Sequence, residues 1–273
     1  MADLRVVCQD WLHVDTEAGM WQVLQRLGIG YKQARAYLRS PDPNYLAKLA
    51  YIQALIRWSV LDPERSVVLF LDELTFYRQP SLAQAYECLG KAQPLAHLGL
   101  RSNLSSRIVA GLEIWQGKVV YLQRSKITLA TLREFYQQLA HTFPQAETIY
   151  VIQDNWPVHF HPDVLAVLRP QDFRWPLPQP ANWPDHPRSN IPALNLPIQL
   201  VCLPTYAPWT NPIEKLWRMV RQEVLHLHRY QDDWEGLKSR INQYLDQLTI
   251  GSSRLLRYVG LSNPLQLYRL PAS

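Results

Sequence analysis

The chain has little cysteine: Cys8, Cys88 and Cys202 are the only three in 273 residues, and they lie far apart. That spacing excludes a disulfide framework and lacks the paired-cysteine signature of a zinc site, so all three read as buried thiols. No apolar run is long enough to span a bilayer, which excludes a membrane-spanning helix. The start, Met1-Ala-Asp-Leu-Arg-Val6, has no basic stretch followed by an apolar core, so a secretory signal is not read there. The expectation is a cytoplasmic protein with no membrane partner. Neither sign of charge dominates: a net charge of +5 and a pI near 9.1 are mildly basic, which permits a polyanionic partner without requiring one. Histidine offers two alternating pairs, His159 with His161 and His226 with His228. An alternating pair reaches one metal only from a strand, and neither region has a strand pattern, so neither pair is assigned to a metal. What is plentiful is apolar side chain, 47% against 19% charged, the composition of a globular chain that buries a substantial core.

Two short apolar runs end in a carboxylate: Ser66-Val-Val-Leu-Phe-Leu-Asp72 and Thr148-Ile-Tyr-Val-Ile-Gln-Asp154. Such runs are the pattern of strands buried on both faces. A third, Ile198-Gln-Leu-Val-Cys-Leu203, leads through Pro204 and Pro208 to Asn211-Pro-Ile-Glu214, where Asn as N-cap and Pro at the first helical position start a helix. Ligands of open α/β sheets bind outside the carboxyl ends of the strands, where two strand-end aspartates and a helix-start glutamate can converge. Three carboxylates supply the hard oxygens that two Mg²⁺ ions need, and such ions, about 3.5 to 4 Å apart, stabilise the attacking and leaving oxygens of an in-line displacement. Each acid also has an ordinary reading. Asn-x-x-Glu is close to a capping box, in which Glu214 serves the backbone, and Asp72 and Asp154 fit strand-terminating turns.

The rest of the core follows the same periodicities. Arg107 to Trp115, Gln116-Gly117 and Lys118 to Leu122 read as a hairpin with a tight turn. Leu132, Phe135, Tyr136 and Leu139 share a helical face that ends before Pro144. Beyond Glu214, Ile213, Leu216, Trp217, Val220 and Val224 form a core stripe, with Lys215, Arg218 and Arg221 on other faces. The order is strand, hairpin, helix, strand, helix, strand, helix, followed by helical segments from Trp234 to Tyr258.

Taken in order, Leu71-Asp72-Glu73, Gln153-Asp154-Asn155 and Leu203-Pro-Thr-Tyr-Ala-Pro-Trp-Thr-Asn-Pro-Ile-Glu-Lys-Leu-Trp217 resemble the mariner-related branch of bacterial insertion-sequence transposases, of the DDE superfamily. Asn211-Pro-Ile-Glu-x-x-Trp217 is the most specific mark, and the likeness runs from about Trp21 to the C-terminal region. The resemblance implies an α/β fold: a ribonuclease-H-like mixed sheet flanked by helices, preceded by a small all-α helix-turn-helix segment. It implies that Asp72, Asp154 and Glu214 are catalytic and hold two Mg²⁺ ions, with Mn²⁺ as a substitute. Glu73, Asn155, His159 and Asn211 become near-site support. The implied partner is double-stranded DNA, both the element's terminal inverted repeats and the target, bound by a homodimer. Water would cut the ends, and the exposed 3′-hydroxyls would then attack target DNA.

Upstream, Gly19 to Leu27, Gly28-Ile-Gly30 and Tyr31 to Leu38 give two short helical patterns around a glycine turn, a helix-turn-helix signal. Lys32, Gln33, Arg35 and Arg39 would contact DNA from the second helix, with Leu24, Leu27, Ala34 and Leu38 packed inside. Lys215 and Arg218 are candidate phosphate contacts near the acids, the alternative being a solvated face. The expected organisation is a partial DNA-binding region over 1–62 and a catalytic domain over 63–273. Relatives carry paired modules and a Ser-Pro-Asp like Ser40-Pro41-Asp42; only about one module precedes Asp72 here, which fits a truncated copy, the downstream frame of a split element, or a reduced end-binding domain.

Two departures stand out. Asp154 and Glu214 are 60 positions apart, a longer separation than the family usually has, and the surplus lies at about 170–197, which holds eight prolines with Trp175 and Trp183. That composition propagates neither helix nor interior strand, so it reads as an inserted loop. It either contacts DNA or a second protomer or is a tolerated surface insertion, the last being the expectation. Trp156, where relatives often have a small residue, either stacks on an unpaired base or is buried beside the site. Two rival functions stay open: a ribonuclease-H-like nuclease without strand transfer, and a catalytically inactive DNA-binding remnant.

Overall fold

The structure, a computed structural model, describes residues 16–30, 39–90 and 92–268. The chain divides into two compact units, Met1–Arg39 and Ser40–Ser273.

In the first unit, helix α1 (Glu17–Arg26) starts where the Thr16 hydroxyl accepts the Gly19 N–H at 3.1 Å, and Gly28, with φ of +68°, turns the chain after it. The helix expected next, with Lys32, Gln33, Arg35, Ala34 and Leu38, lies outside the described residues. Arg39 is exposed, and Leu24 is half-buried. Leu27, expected to pack inward, is 65% exposed.

The second unit is built on one sheet. Its strands are β1 (Ser66–Tyr77), β2 (Ser105–Glu113), β3 (Val119–Arg124), β4 (Thr148–Gln153) and β5 (Ile198–Cys202), in the order β3-β2-β1-β4-β5. The first three run antiparallel, while β4 and β5 are parallel to β1. This is the ribonuclease-H-like mixed sheet that the motifs implied. Val67 to Leu71 are all buried because β1 is central and both its faces are covered. Alternate residues divide between two cores. Val68, Phe70, Leu74 and Phe76 pack beneath α2 (Tyr45–Ser59), α5 (Ile213–Val220, continued by a π-helical turn, Arg221–Leu225), α6 (Trp234–Asp246) and α7 (Ser253–Val259). Val67, Leu69 and Leu71 pack beneath α3 (Leu129–Thr142), whose Leu132, Phe135, Tyr136 and Leu139 are buried as their spacing predicts, and beneath the single turn α4 (Pro162–Leu165). Each large side chain buried in this way contributes about 1.5 to 3 kcal/mol.

Four local differences from the sequence reading have physical causes. The compact units divide between Arg39 and Ser40, upstream of the expected boundary after residue 62, because Ile52 and Ile56 of α2 are fully buried in the first of these cores. Cys202 is buried, but Cys88 is exposed, since it lies on a long excursion between β1 and β2 where Tyr86, Leu89 and Leu100 also face outward; Cys8 lies outside the described residues. No long helix separates β4 from β5: a 3-10 turn, Pro157–Phe160, and α4 are followed by an irregular, proline-rich segment. That segment is not a detached surface loop. The Gln171 carboxamide accepts the Leu200 N–H at 2.8 Å on the edge strand β5, and Arg188 donates twice to the fully buried Asp163 carboxylate, from its backbone at 2.8 Å and from Nε at 2.6 Å. Trp183 lies against His161, and Trp175 meets Tyr51 edge-on.

Candidate catalytic site

Parallel pairing decides where the acids stand. Phe70 is opposite Ile152 in the last parallel pair of β1 with β4, and Asp72 and Asp154 each stand two residues beyond it. Glu214 enters from the first turn of α5, which β5 reaches through residues 203–212. All three line one cavity of about 640 Å³ at the carboxyl ends of the strands. The capping reading of Glu214 is not what forms. The Asn211 amide donates to the Leu71 carbonyl at 3.1 Å, tying α5 to the end of β1, and the Asn211 N–H is taken by Pro208. Asn211 is a strut between two acid-bearing elements rather than the side-chain N-cap that was expected.

The electrostatics are those of a partly compensated carboxylate cluster. Burial, and then the Glu214 charge, push Asp72 up to about 7; the Trp217 indole, donating to Asp72 Oδ2 at 2.8 Å, partly offsets this. Glu214 is raised by burial and by Asp154, against the pull of Arg221. Burial also raises Asp154, while the Trp156 N–H donates to its Oδ1 at 2.9 Å. Trp217 was read as core and as the last residue of the Asn211-Pro-Ile-Glu-x-x-Trp217 mark, without a task at the site. Its position, i+3 from Glu214, places both on one helical face and was the available signal for its second task.

Support comes from below the sheet. Strand alternation turns Glu73 to the face opposite Asp72, where its carboxylate Oε1 lies 3.3 Å from His159 Nε2. The same Nε2 is 3.6 Å from Asp154 Oδ1. Burial pushes the fully enclosed His159 down to about 3 and raises Glu73 well above the usual carboxylate range, so burial favours the uncharged form of each. Asn155 donates to the Leu203 carbonyl at 2.7 Å, holding the ends of β4 and β5 together. Trp156 packs its edge against His159, ring centroids 5.4 Å apart, and also lines the cavity, so the two readings of this residue are compatible. Pro176, Leu177 and Pro178 of the insertion form part of the cavity wall, a role the sequence did not disclose. Of the candidate cations, Arg218 is exposed, whereas the Lys215 ammonium donates to the Val259 carbonyl at 2.9 Å, at the C-terminal end of α7.

The donor set fits divalent cations. Among the described residues no three His, Cys, Asp or Glu side chains are closed into a ligand cage. The three cavity acids are nevertheless hard oxygen donors whose mutual repulsion a divalent cation would relieve.

A family model described as DDE superfamily endonuclease matches residues 67–238, a span containing all three acids. The chain belongs to the DDE superfamily endonucleases. This DDE endonuclease-family chain is 22% identical over 227 residues to the insertion element IS630 uncharacterized 39 kDa protein of Shigella sonnei, covering 83% of the chain and 57% of that relative's length. The fold resembles that of a pre-cleavage Mos1 transpososome, with a TM-score of 0.60 at 12% identity over 96% of this chain and 71% of the other. It also resembles the Mos1 mariner paired end complex with Mn, with a TM-score of 0.56 at 14% identity over 97% and 76% respectively. The likeness to mariner-related insertion-sequence transposases, first met in the motifs, thus recurs in the family model, in a relative and in the fold.

Proposed function

We propose that the chain is a DNA transposase that cuts the ends of an insertion sequence and transfers the resulting 3′-hydroxyls to target DNA. The observation that carries this reading is that Asp72, Asp154 and Glu214, from three separate elements, line one cavity, in which the Asp154 charge raises the proton affinity of both Asp72 and Glu214. The Mos1 structures are paired end complexes with Mn and with Mg, which supports a divalent cofactor and a DNA partner; a homodimer on paired ends is part of the proposal. No described helix is long and apolar enough to cross a membrane.

The chain's own residues prepare the cavity. Trp217 donates to Oδ2 of Asp72 and orients that carboxylate. The Trp156 N–H orients Asp154 in the same way. Asn211 and Asn155 lock the three elements against one another, so the acids converge without reorganisation during the reaction. Asp72, Asp154 and Glu214 would hold two Mg²⁺ ions, which supply an activated water or 3′-hydroxyl and neutralise charge growing on the phosphate. No nucleophilic side chain is required. Within the DNA-binding assignment, Lys32, Gln33, Arg35 and Arg39 are groove or phosphate contacts and Arg218 a phosphate contact beside the site.

The test is cleavage of a labelled duplex carrying the gene's own flanking ends, with Mg²⁺ or a chelator, by the wild-type chain and Asp154→Asn. Cuts confined to the ends, requiring both Mg²⁺ and Asp154, are the expected result. Cuts without end preference would identify a nuclease, and binding without cuts would identify an inactive remnant.

A further inference from the structure

Ser40-Pro41-Asp42 takes no part in the chemistry above, yet it is fastened to the loop that leads to Glu214. The Asp42 carboxylate, with its side chain 4% exposed, accepts the Thr205 N–H at 2.8 Å, the Asn44 N–H at 2.9 Å and the Lys48 ammonium at 2.8 Å. Ser40 Oγ donates to the Thr205 carbonyl at 2.5 Å and accepts the Asp42 N–H at 3.2 Å. Both backbone groups of Thr205 are therefore held by residues more than 160 positions upstream. The Thr205 hydroxyl in turn accepts from Asn155 Nδ2 at 3.3 Å, beside Asp154. Lys48 lines the cavity and is itself enclosed, its side chain 8% exposed and its ammonium 5.8 Å from the Trp175 ring centroid in the insertion.

The loop needs this anchorage. Between β5 and the 3-10 turn Pro208–Thr210, residues 203–207 lie in no helix or strand, and both Thr205 backbone groups are taken by distant side chains. The next residue, Tyr206, has φ of +52°, a left-handed conformation that a bulky side chain keeps only when its surroundings enforce it.

We propose that Asp42 is a positioning residue of the catalytic site: by holding Thr205 it sets where Glu214 and Asp154 stand relative to Asp72. The consequence for catalysis rests on the transposase reading, but the fastening of the loop does not. The experiment therefore has two arms, applied to the full chain as wild type, Asp42→Asn, Asp42→Glu and Ser40→Ala. The first follows amide hydrogen exchange over 203–214 together with the thermal midpoint with and without Mn²⁺. Asp42→Asn should raise exchange in this segment at least fivefold while cores elsewhere stay protected, and should shrink the Mn²⁺-induced rise in midpoint. The second measures end cleavage against Mn²⁺ concentration. Asp42→Asn should raise the half-saturating concentration at least fivefold and lower kcat, leave KM for DNA within twofold, and be partly restored in Asp42→Glu. Unchanged exchange overturns the proposal, and so does raised exchange with the Mn²⁺ response intact. A wild-type chain that binds Mn²⁺ without cutting removes the transposase reading and leaves the Mn²⁺-induced midpoint to decide the positioning role. A wild-type chain whose midpoint ignores Mn²⁺ overturns both. Ser40→Ala, which spares the buried charge pair, should show the same pattern more weakly if either Asp42 variant fails to fold.

Discussion

Asp72 carries the largest electrostatic burden of the three acids, and its protonation can be read as stability. Burial and the Glu214 charge push it up to about 7, whereas the unfolded chain holds it near the ordinary carboxylate value. An acid whose pKa rises on folding binds its proton more tightly in the native state. The wild-type chain therefore loses stability as pH climbs from about 4 to about 7, and below that window nothing is lost. Asp72→Asn keeps an oxygen for the Trp217 indole and deletes the charge. The two proteins should be nearly equal at pH 4, and the variant should be more stable by about 2 kcal/mol or more at pH 8, measured by urea unfolding in a chelator. His159, which burial pushes down to about 3, destabilises both proteins alike as pH falls below about 6.5, so it cancels in the comparison. A gap that does not widen with pH would show that Asp72 is not the strained carboxylate. The same variant should be inactive, because the deleted charge is the one a cation needs.

At the scale of elements, what was legible in the sequence was whatever burial writes into local pattern. β1, β4 and β5 were visible because strands covered on both faces are continuous apolar runs. The hairpin turn was visible because Gly117, at φ of +70°, needs a left-handed conformation, with the Ser252 carbonyl too close to admit a Cβ. The acids could be placed at strand ends for the same reason. Contacts between elements leave no such trace: Asn211 to Leu71, Asp42 to Thr205 and Trp217 to Asp72 each join residues at least 140 positions apart. The insertion was the hardest to read, since its prolines announce irregular backbone without saying what holds it. Its anchorage is testable at Arg188, whose guanidinium serves the fully buried Asp163. Arg188→Ala leaves that carboxylate with one backbone donor and should cost about 2 kcal/mol, less than a fully buried pair because Arg188 itself is 62% exposed. Urea unfolding gives the cost, and hydrogen exchange should rise across 171–190. A change below about 0.5 kcal/mol would mean that the insertion is held by its aromatic contacts alone.

The whole molecule combines a carboxylate-lined cavity with a mildly basic chain, and the two features make opposite demands on DNA. A cavity lined by Asp72, Asp154 and Glu214 repels phosphate until cations enter, while a net charge of +5, from 28 basic and 23 acidic side chains, attracts it only weakly at long range. On the proposed function, affinity for DNA comes from local contacts by cations, with Arg39 and Arg218, both exposed, as the candidates. Each phosphate so neutralised releases counterions and contributes about −0.9 to the slope of log affinity against log salt. If three or more are engaged, binding should weaken at least about fortyfold between 50 and 200 mM KCl. Titrating labelled duplex in a chelator separates this from the metal requirement, because binding then reports phosphate contacts and not the acids. Arg39→Ala and Arg218→Ala should each lower the slope by about one unit on all sequences alike. Mg²⁺ should then tighten binding of the wild type but not of Asp154→Asn. Affinity insensitive to salt would remove the DNA partner from the assignment, and a slope unchanged in both arginine variants would place the phosphate contacts elsewhere on the chain.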